Sequence, residues 1–186
     1  MPDREEVLRS IYGAYLLARM DASGMGLMNL TVEGFWRSFF AAVLVAPGYA
    51  LLVVHRMMTR PESVDAGWAF LVHVLAYVIG WAAFPVIALV LTFLLSVSHN
   101  YVSLIVAANW AAVIQVMAFL LVIAATLVLP TLLAGMLLAV ITIAMLFYQW
   151  FVIRTALQTS GAIAFALVLV DLAVNTAINV SAERIL

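Results

Sequence analysis

The last long hydrophobic stretch of the chain contains one carboxylate and two amides, side chains that are rare in such stretches. Asp171 lies near its middle, and Asn175 and Asn179 follow at four-residue spacing, so all three share one helix face. A carboxyl group beside amides can carry a proton or hold a cation. An ionised carboxylate at the centre of a bilayer costs roughly 2.5–3.5 kcal/mol on insertion scales. We therefore expect Asp171 to face neighbouring helices and to be neutral or paired.

Three polar residues in other hydrophobic stretches are candidate partners of this polar stripe (Asp171, Asn175 and Asn179). Gln115 lies near the middle of the third stretch, and Asn109 precedes it by about a turn and a half. His73 lies in the half of the second stretch that should face the same side of a membrane as the two asparagines of the stripe. Together the six residues form the candidate intramembrane polar site.

Two interpretations of this site remain open. In one, the site is a proton or cation relay, or part of a solute path. In the other, the amides and a protonated Asp171 hold helices together through hydrogen bonds worth ~0.6 kcal/mol each. A transporter usually has several ionisable groups or broken helices near the midplane. Since this chain has one carboxylate there, we favour the second interpretation.

The sequence lacks the residue patterns of common hydrolases, nucleotide-binding proteins and metal sites. It contains no His-Glu-x-x-His, no Gly-x-Ser-x-Gly, no phosphate loop and no cysteine. An intramembrane aspartyl enzyme needs two carboxylates, and only Asp171 is available at depth. Neither His73 nor His99 has a second ligand three or four residues later. We predict that the protein is not an enzyme and binds neither metal nor cofactor.

The composition indicates that lipid is the main solvent of the chain. Of its 186 residues, 68% are hydrophobic and 9% are charged, whereas soluble domains have about 45–50% and about 25%. The mean hydropathy is +1.21. The net charge of -1 offers no polybasic surface for nucleic acid. We expect the lipid bilayer to be its environment, and a protein partner or a second copy of the chain to bind it there.

Hydrophobic runs predict an all-α polytopic membrane protein with five spans, at residues 38–57, 67–97, 101–129, 131–157 and 162–180. The loops after the second, third and fourth spans are very short, which predicts antiparallel neighbours in an up-and-down bundle. The second span is about 45 Å long as a helix, longer than the ~30 Å hydrocarbon core. It should tilt, kink at Pro85 or project from the membrane, and two half-helices at Pro85 are an alternative.

Residues 1–34 form a separate N-terminal segment before the transmembrane domain of residues 35–186. Residues 4–20 read as an amphipathic helix that Asp3 caps, with Glu6 reaching back as in a capping box. This helix either lies among lipid headgroups or on a partner, or packs over the protein's own end. Its apolar face comprises Leu8, Ile11, Tyr12, Tyr15 and Leu16.

The distribution of arginine predicts the orientation in the membrane. One predicted side has five arginines and the other has three, which favours a cytoplasmic N-terminus and a periplasmic C-terminus. All eight basic residues are arginine, a habit of GC-rich bacterial genomes that favours a bacterial inner membrane. The first side has Arg4, Arg9, Arg19, Arg37 and Arg154, and the second has Arg56, Arg60 and Arg184.

Two local patches and the five-span layout carry a resemblance to a known family. The patches are residues 101–109 (YVSLIVAAN) and residues 148–157 (YQWFVIRTAL), the latter followed by a turn of small residues. Over residues 35–180 the chain resembles the Yip (Ypt-interacting protein) family and its bacterial relatives. The resemblance implies a non-enzymatic membrane protein. Eukaryotic members are linked to small GTPases and membrane shaping, but the short N-terminal helix of this chain puts a GTPase role in doubt.

These observations lead to two functional hypotheses. The first is a non-catalytic membrane protein that acts by contact, as an accessory subunit, scaffold or membrane-organising factor. The alternative is a small transporter or channel that uses Asp171 and the amides beside it.

Overall fold

The computed structural model describes residues 1–59 and 65–186, which contain helices, turns and no strand. Two shorter α-helices and a 3-10 helix precede the long helices. The α-helices are α1 (Arg4–Ala18), α2 (Val32–Ser38), α3 (Phe40–Thr59), α4 (Ala66–Leu94), α5 (Tyr101–Thr126), α6 (Thr131–Leu157) and α7 (Gly161–Ile185). Short 3-10 helices lie at Ala22–Leu27 and Ser98–Asn100.

Five helical segments of the described chain are long and apolar enough to cross a membrane, and they have 25 to 29 residues each. Helices α2 and α3 together form the first span, and α4 to α7 form the others. Large apolar side chains on their outer faces are exposed, as expected of surfaces that contact lipid. They include Phe70, Leu121, Val140 and Phe165. The predicted all-α polytopic membrane fold is confirmed.

Local signals explain where the spans begin and end. The fourth span has the predicted bounds, whereas the first begins earlier because Thr31 caps α2 through its hydroxyl, which accepts from the amide of Gly34 at 3.1 Å. The second span ends at Leu94 rather than at residue 97, since Ser96 takes a left-handed conformation with φ of 58°. The third ends at Thr126, a turn before Pro130, and the fifth continues to Ile185.

Pro47 and Pro85 both lie inside continuous helices. The half-helix alternative for the second span is therefore wrong. A proline leaves one carbonyl of the preceding turn without its helical partner, and neighbouring helices usually compensate at such places. Pro85 leaves the carbonyl of Trp81 without this partner. The hydroxyl of Tyr101 on α5 donates to the carbonyl of Pro85 itself, at 3.0 Å, and so connects α4 to α5 beside the proline.

Helix α5 is the centre of the bundle and packs against α1, α2, α3 and α6. Helix α6 packs against α7, and α7 packs against α4. The predicted neighbours α5–α6 and α6–α7 are confirmed. The main neighbour of α4 is α7 rather than α5, because a pocket separates most of α4 from α5.

The N-terminal helix α1 packs over the protein's own end of the bundle. The residues of α1 that are buried against the bundle are the small residues Ser10, Gly13 and Ala14, together with Leu17. The hydroxyl of Tyr148 on α6 donates to the carbonyl of Ala14 at 2.9 Å. A Cβ on Gly13 would lie 2.6 Å from the carbonyl oxygen of Gly24, so this close approach requires glycine.

Only part of the predicted apolar face of α1 docks on the bundle, where Ile11 packs against the core. Leu8, Tyr12 and Tyr15 are exposed, and Ile11 and Leu16 are half-buried. The docking face combines the small residues Ser10, Gly13 and Ala14 with Leu17, and the small side chains allow the helix backbone to approach the bundle closely.

The capping prediction for α1 is half right. Asp3 accepts from the amide of Glu6 at 2.7 Å, as expected. The carboxylate of Glu6 does not reach back to Asp3. It accepts from Arg37 Nη1 at 2.7 Å and from Asn29 Nδ2 at 3.1 Å, because the folded chain brings α2 beside the first turn of α1.

Contacts between helix ends that are far apart in the sequence identify the two sides of the bundle. On the side of α1, the amide side chain of Asn100 donates to the carbonyl of Leu157 at 3.0 Å. On the other side, Arg56 at the end of α3 forms an ion pair with Glu183 near the end of α7. Residues 60–64, among them Arg60 of the predicted arginine distribution, lie outside the described residues, and Asp65 caps α4.

Candidate intramembrane polar site

A central pocket of about 240 Å³ lies among the five spans, and every span contributes to its lining. Five of the six residues of the candidate intramembrane polar site line it: Asn109, Gln115, Asp171, Asn175 and Asn179. Residues from α5 and α7, far apart in the chain, therefore meet at one cavity. The structure thus joins two groups of polar residues that the sequence could only suggest as partners.

His73 is the exception among the predicted site residues. It is half-buried on α4, and the lining of the central pocket on this helix extends from Ala76 to Pro85. His73 lies about one helical turn beyond that lining, toward the start of α4. His73 is therefore not among the residues that line the central pocket, and its role in the polar site stays a prediction.

The polar stripe of α7 makes its hydrogen bonds within its own helix. Asn175 Nδ2 donates to Asp171 Oδ1 and to the carbonyl of Asp171, both at 2.9 Å. Asn179 Nδ2 donates to the carbonyl of Asn175 at 2.8 Å. Among the described residues, these three side chains have no hydrogen bond to another helix. The stripe faces the central pocket without connecting α7 to a neighbour.

The amides of α5, in contrast, connect helices. Asn109 Nδ2 donates to the hydroxyl of Ser38 at the end of α2, at 2.8 Å, and both side chains are buried. Gln115 Nε2 donates to Gln149 Oε1 on α6, also at 2.8 Å. These two contacts fit the interpretation of polar residues as interhelical contacts that stabilise the bundle.

Aromatic side chains of α3 and α4 form one side of the central pocket. The ring centroids of Tyr49 and Tyr77 are 4.8 Å apart, and those of Tyr77 and Trp81 are 6.1 Å apart. Phe84 continues the lining along α4. We refer to these four residues as the aromatic wall. The hydroxyl of Tyr77 donates to the carbonyl of Ala42 at 2.5 Å, which holds α4 against α3.

Gly80 lies between the aromatic wall and the polar stripe. A Cβ at this position would lie 3.9 Å from Asn175 Oδ1, which is an ordinary van der Waals distance. Asn175 therefore faces the backbone of α4 across a narrow part of the pocket.

Asp171 is the only acidic side chain among the described residues that line the central pocket. No arginine or histidine of the described chain lines this pocket. Its other polar lining groups are amides and tyrosine hydroxyls. The described residues contain no cluster of three or more His, Cys, Asp or Glu side chains that could hold a metal ion.

Sequence reasoning missed Gln149 and the aromatic wall. Gln149 is near the end of the fourth span, yet it is buried and lines the pocket. The signal for the wall is the spacing of Tyr77, Trp81 and Phe84, which puts three aromatic rings on one face of α4. No spacing rule could add Tyr49, because it belongs to another helix.

Comparisons with protein-family models, with curated protein sequences and with solved structures find no match for this chain. The resemblance to the Yip family stays a prediction.

Proposed function

We propose that the protein is a small transporter or channel that takes a polar or cationic solute into the central pocket. The observation that carries this proposal is the polar stripe of α7. Asp171, Asn175 and Asn179 line a pocket shared by all five spans, and they bond only within α7 among the described residues. The side chains of the polar stripe therefore have hydrogen-bonding groups that do not take part in contacts between helices.

The cost of polar groups inside a membrane supports this proposal over a purely structural role. In hydrocarbon, polar groups need partners, and ionisable ones mark ion or substrate paths by default. Asn109 and Gln115 have interhelical partners, whereas the polar stripe faces open volume. A pocket of about 240 Å³ with several polar groups has room for water or a small solute. In this proposal the protein is not an enzyme, since the stripe contributes a single carboxylate.

The proposal includes a location. The protein resides in the inner membrane of a bacterium, with its N-terminus in the cytoplasm and its C-terminus in the periplasm. Support comes from the distribution of arginine: Arg154 ends α6, the helix whose Tyr148 contacts α1, so it shares a side with the arginines of the N-terminal segment. Arg56 and Arg184 are in the last turns of α3 and α7, on the opposite side of the bundle. More positive charge on one side favours the cytoplasm for that side.

The test uses the absence of native cysteine. Ala112 lines the central pocket, and Met117, one and a half turns later on α5, is exposed on the outside of the helix. We expect a charged, water-soluble thiol reagent to label Ala112→Cys in lipid nanodiscs and to leave Met117→Cys unlabelled, because only the pocket admits water. Equal labelling rates for the two variants, or no labelling of Ala112→Cys, would contradict a solute path through the pocket.

A second candidate is the contact-based role of an accessory subunit, scaffold or membrane-organising factor. The observation that favours it is the surface of α1, where Leu8, Tyr12 and Tyr15 stay exposed after the helix has docked. Such an apolar surface beside Arg4 and Arg9 fits the headgroup region of a bilayer or a partner in the membrane. The Yip resemblance points to the same class of function.

A further inference from the structure

We infer that the ligand of the central pocket is a small organic cation with an ammonium group, such as a methylated amine. This inference rests on the proposed function and adds the chemical class of the solute. It follows from three properties of the lining: the sign of its charge, the aromatic wall, and the size of the cavity.

The sign of the charge excludes anions. Asp171 contributes a negative charge when ionised, and no arginine or histidine of the described chain lines the pocket to oppose it. Amide groups of Asn175 and Asn179 lie one and two turns away on the same helix. Their oxygens can accept hydrogen bonds from N–H groups of an amine. Among the described lining residues, an anion would meet one carboxylate and no cationic side chain, so binding it would leave both negative charges uncompensated.

The aromatic wall distinguishes an organic cation from a metal ion. The faces of tryptophan, tyrosine and phenylalanine attract ammonium groups electrostatically, and clusters of such rings recognise quaternary ammonium ligands. Tyr49, Tyr77 and Trp81 form a continuous cluster, with neighbouring ring centroids 4.8 and 6.1 Å apart. Divalent metal ions need about six oxygen ligands, often from several carboxylates. The described lining residues include one carboxylate, so the pocket suits an organic cation, whose methyl or methylene groups can contact the rings, better than a divalent metal ion.

The rings and the polar stripe belong to different helices. The rings project from α3 and α4, and Asp171, Asn175 and Asn179 project from α7. The central pocket includes both sets in one lining. An ammonium group can therefore be paired by the carboxylate while its carbon atoms contact the rings.

The size of the pocket limits the ligand. Sites for drug-sized ligands typically have about 300–1,000 Å³. At about 240 Å³ the central pocket is smaller than this range. A compact amine fits the volume, and a large multi-ring cation does not.

The experiment measures protection of the Ala112→Cys thiol by tetramethylammonium in lipid nanodiscs. We expect tetramethylammonium to slow labelling in a saturable way, and the neutral, similarly shaped tert-butanol to have no effect. Trp81→Leu should raise the half-protecting concentration at least tenfold, while Trp81→Phe, which keeps a ring, should retain most of the protection. Phe93→Leu is the matched control, because Phe93 is exposed on the same helix outside the pocket. Size-exclusion profiles verify that each variant folds.

The outcomes separate this inference from the proposed function. If Ala112→Cys is labelled but tetramethylammonium gives no protection, the organic-cation inference is overturned and the water-filled pocket stands. The inference is also overturned if tert-butanol protects the Ala112→Cys thiol as well as tetramethylammonium does, or if sodium ions protect it and tetramethylammonium does not. If Ala112→Cys is not labelled at all, the proposed function itself fails. Protection that depends on both Asp171 and Trp81 would support the inference.

Discussion

At the scale of single residues, two carboxylates illustrate how environment decides a role. Glu6 is largely buried at one end of the bundle, where its oxygens accept from Arg37 and Asn29. It therefore holds α1 against α2. Asp171 has only the amide of Asn175 on its own helix as a side-chain partner among the described residues, and it faces the central pocket. A group that contributes little to packing and is costly to ionise in lipid is suited to interact with a solute.

Replacing Asp171 by Asn should abolish cation- or proton-driven flux and keep the fold. The change preserves the shape of the side chain and removes its charge, so the pocket remains but its cation partner is lost. A potential-sensitive dye in proteoliposomes measures the flux. Asp3→Asn is the control, because asparagine caps a helix as well as aspartate does. If Asp171→Leu leaves flux and thermal stability unchanged, neither a transport role nor a structural role of Asp171 survives.

Replacing Glu6 by Gln should loosen α1 without unfolding the spans. Arg37 would lose the charged partner on α1 and keep Glu33, four residues before it on α2, at 2.5 Å. We expect backbone amides of α1 to exchange with deuterium severalfold faster, and the exchange of α5 to stay the same. Glu5→Gln, on the exposed side of the same turn, serves as control. Unchanged exchange in α1 would show that small-residue packing alone holds this helix.

At the scale of elements, close approach between helices depends on where a small residue lies relative to its neighbours. At Gly48 on α3, a Cβ would lie 2.7 Å from Val116 Cγ1 and 3.1 Å from Leu120 Cδ1. Gly135 on α6 has no atom within 4 Å of such a Cβ. Both glycines lie in hydrophobic helices of similar composition. Only the first sits at a contact between two spans, α3 and α5.

Gly48→Ala should therefore destabilise the bundle, while Gly135→Ala should not. The stiff, β-branched Val116 cannot rotate away easily, so α3 must shift from α5. Overpacking of this kind typically costs about 1–3 kcal/mol. Thermal unfolding in detergent, followed by circular dichroism, measures the difference between the two variants. Equal melting temperatures of the two variants would contradict this prediction, because they would mean that α3 can move away from α5 at Gly48 without loss of stability.

At the scale of the whole molecule, the chain presents two surfaces with different implications. The central pocket faces inward and favours transport. The exposed residues of α1 face outward and favour contact with lipid or with a partner. The two roles differ in what should accompany the protein when it leaves the membrane.

If transport through the central pocket is the function, native mass spectrometry from lipid nanodiscs should find this chain alone or as a homo-oligomer. A second polypeptide at fixed stoichiometry would favour the contact-based role instead. In that case, the triple substitution Leu8→Ser, Tyr12→Ser and Tyr15→Ser should release it. Val32→Ser, which changes an exposed apolar residue outside α1, should not.

The sequence by itself determined the features that depend on local interactions. Five spans follow from the length of hydrophobic runs, because each run must satisfy its backbone hydrogen bonds as a helix in lipid. Caps at Asp3 and Thr31 follow from side chains that reach amides three residues away. The shared face of Asp171, Asn175 and Asn179 follows from helical periodicity alone.

Only the tertiary structure decided which helix faces meet. Hydropathy is nearly uniform around a lipid-embedded helix, so it does not specify rotation or neighbours. The packing of α4 on α7, the pairing of Gln115 with Gln149, and the exclusion of His73 from the pocket all depend on that choice. The aromatic wall likewise exists because Tyr49 on α3 packs against Tyr77 on α4. The polar residues line one pocket only because the helices pack in this arrangement, and no single stretch of the sequence specifies that packing.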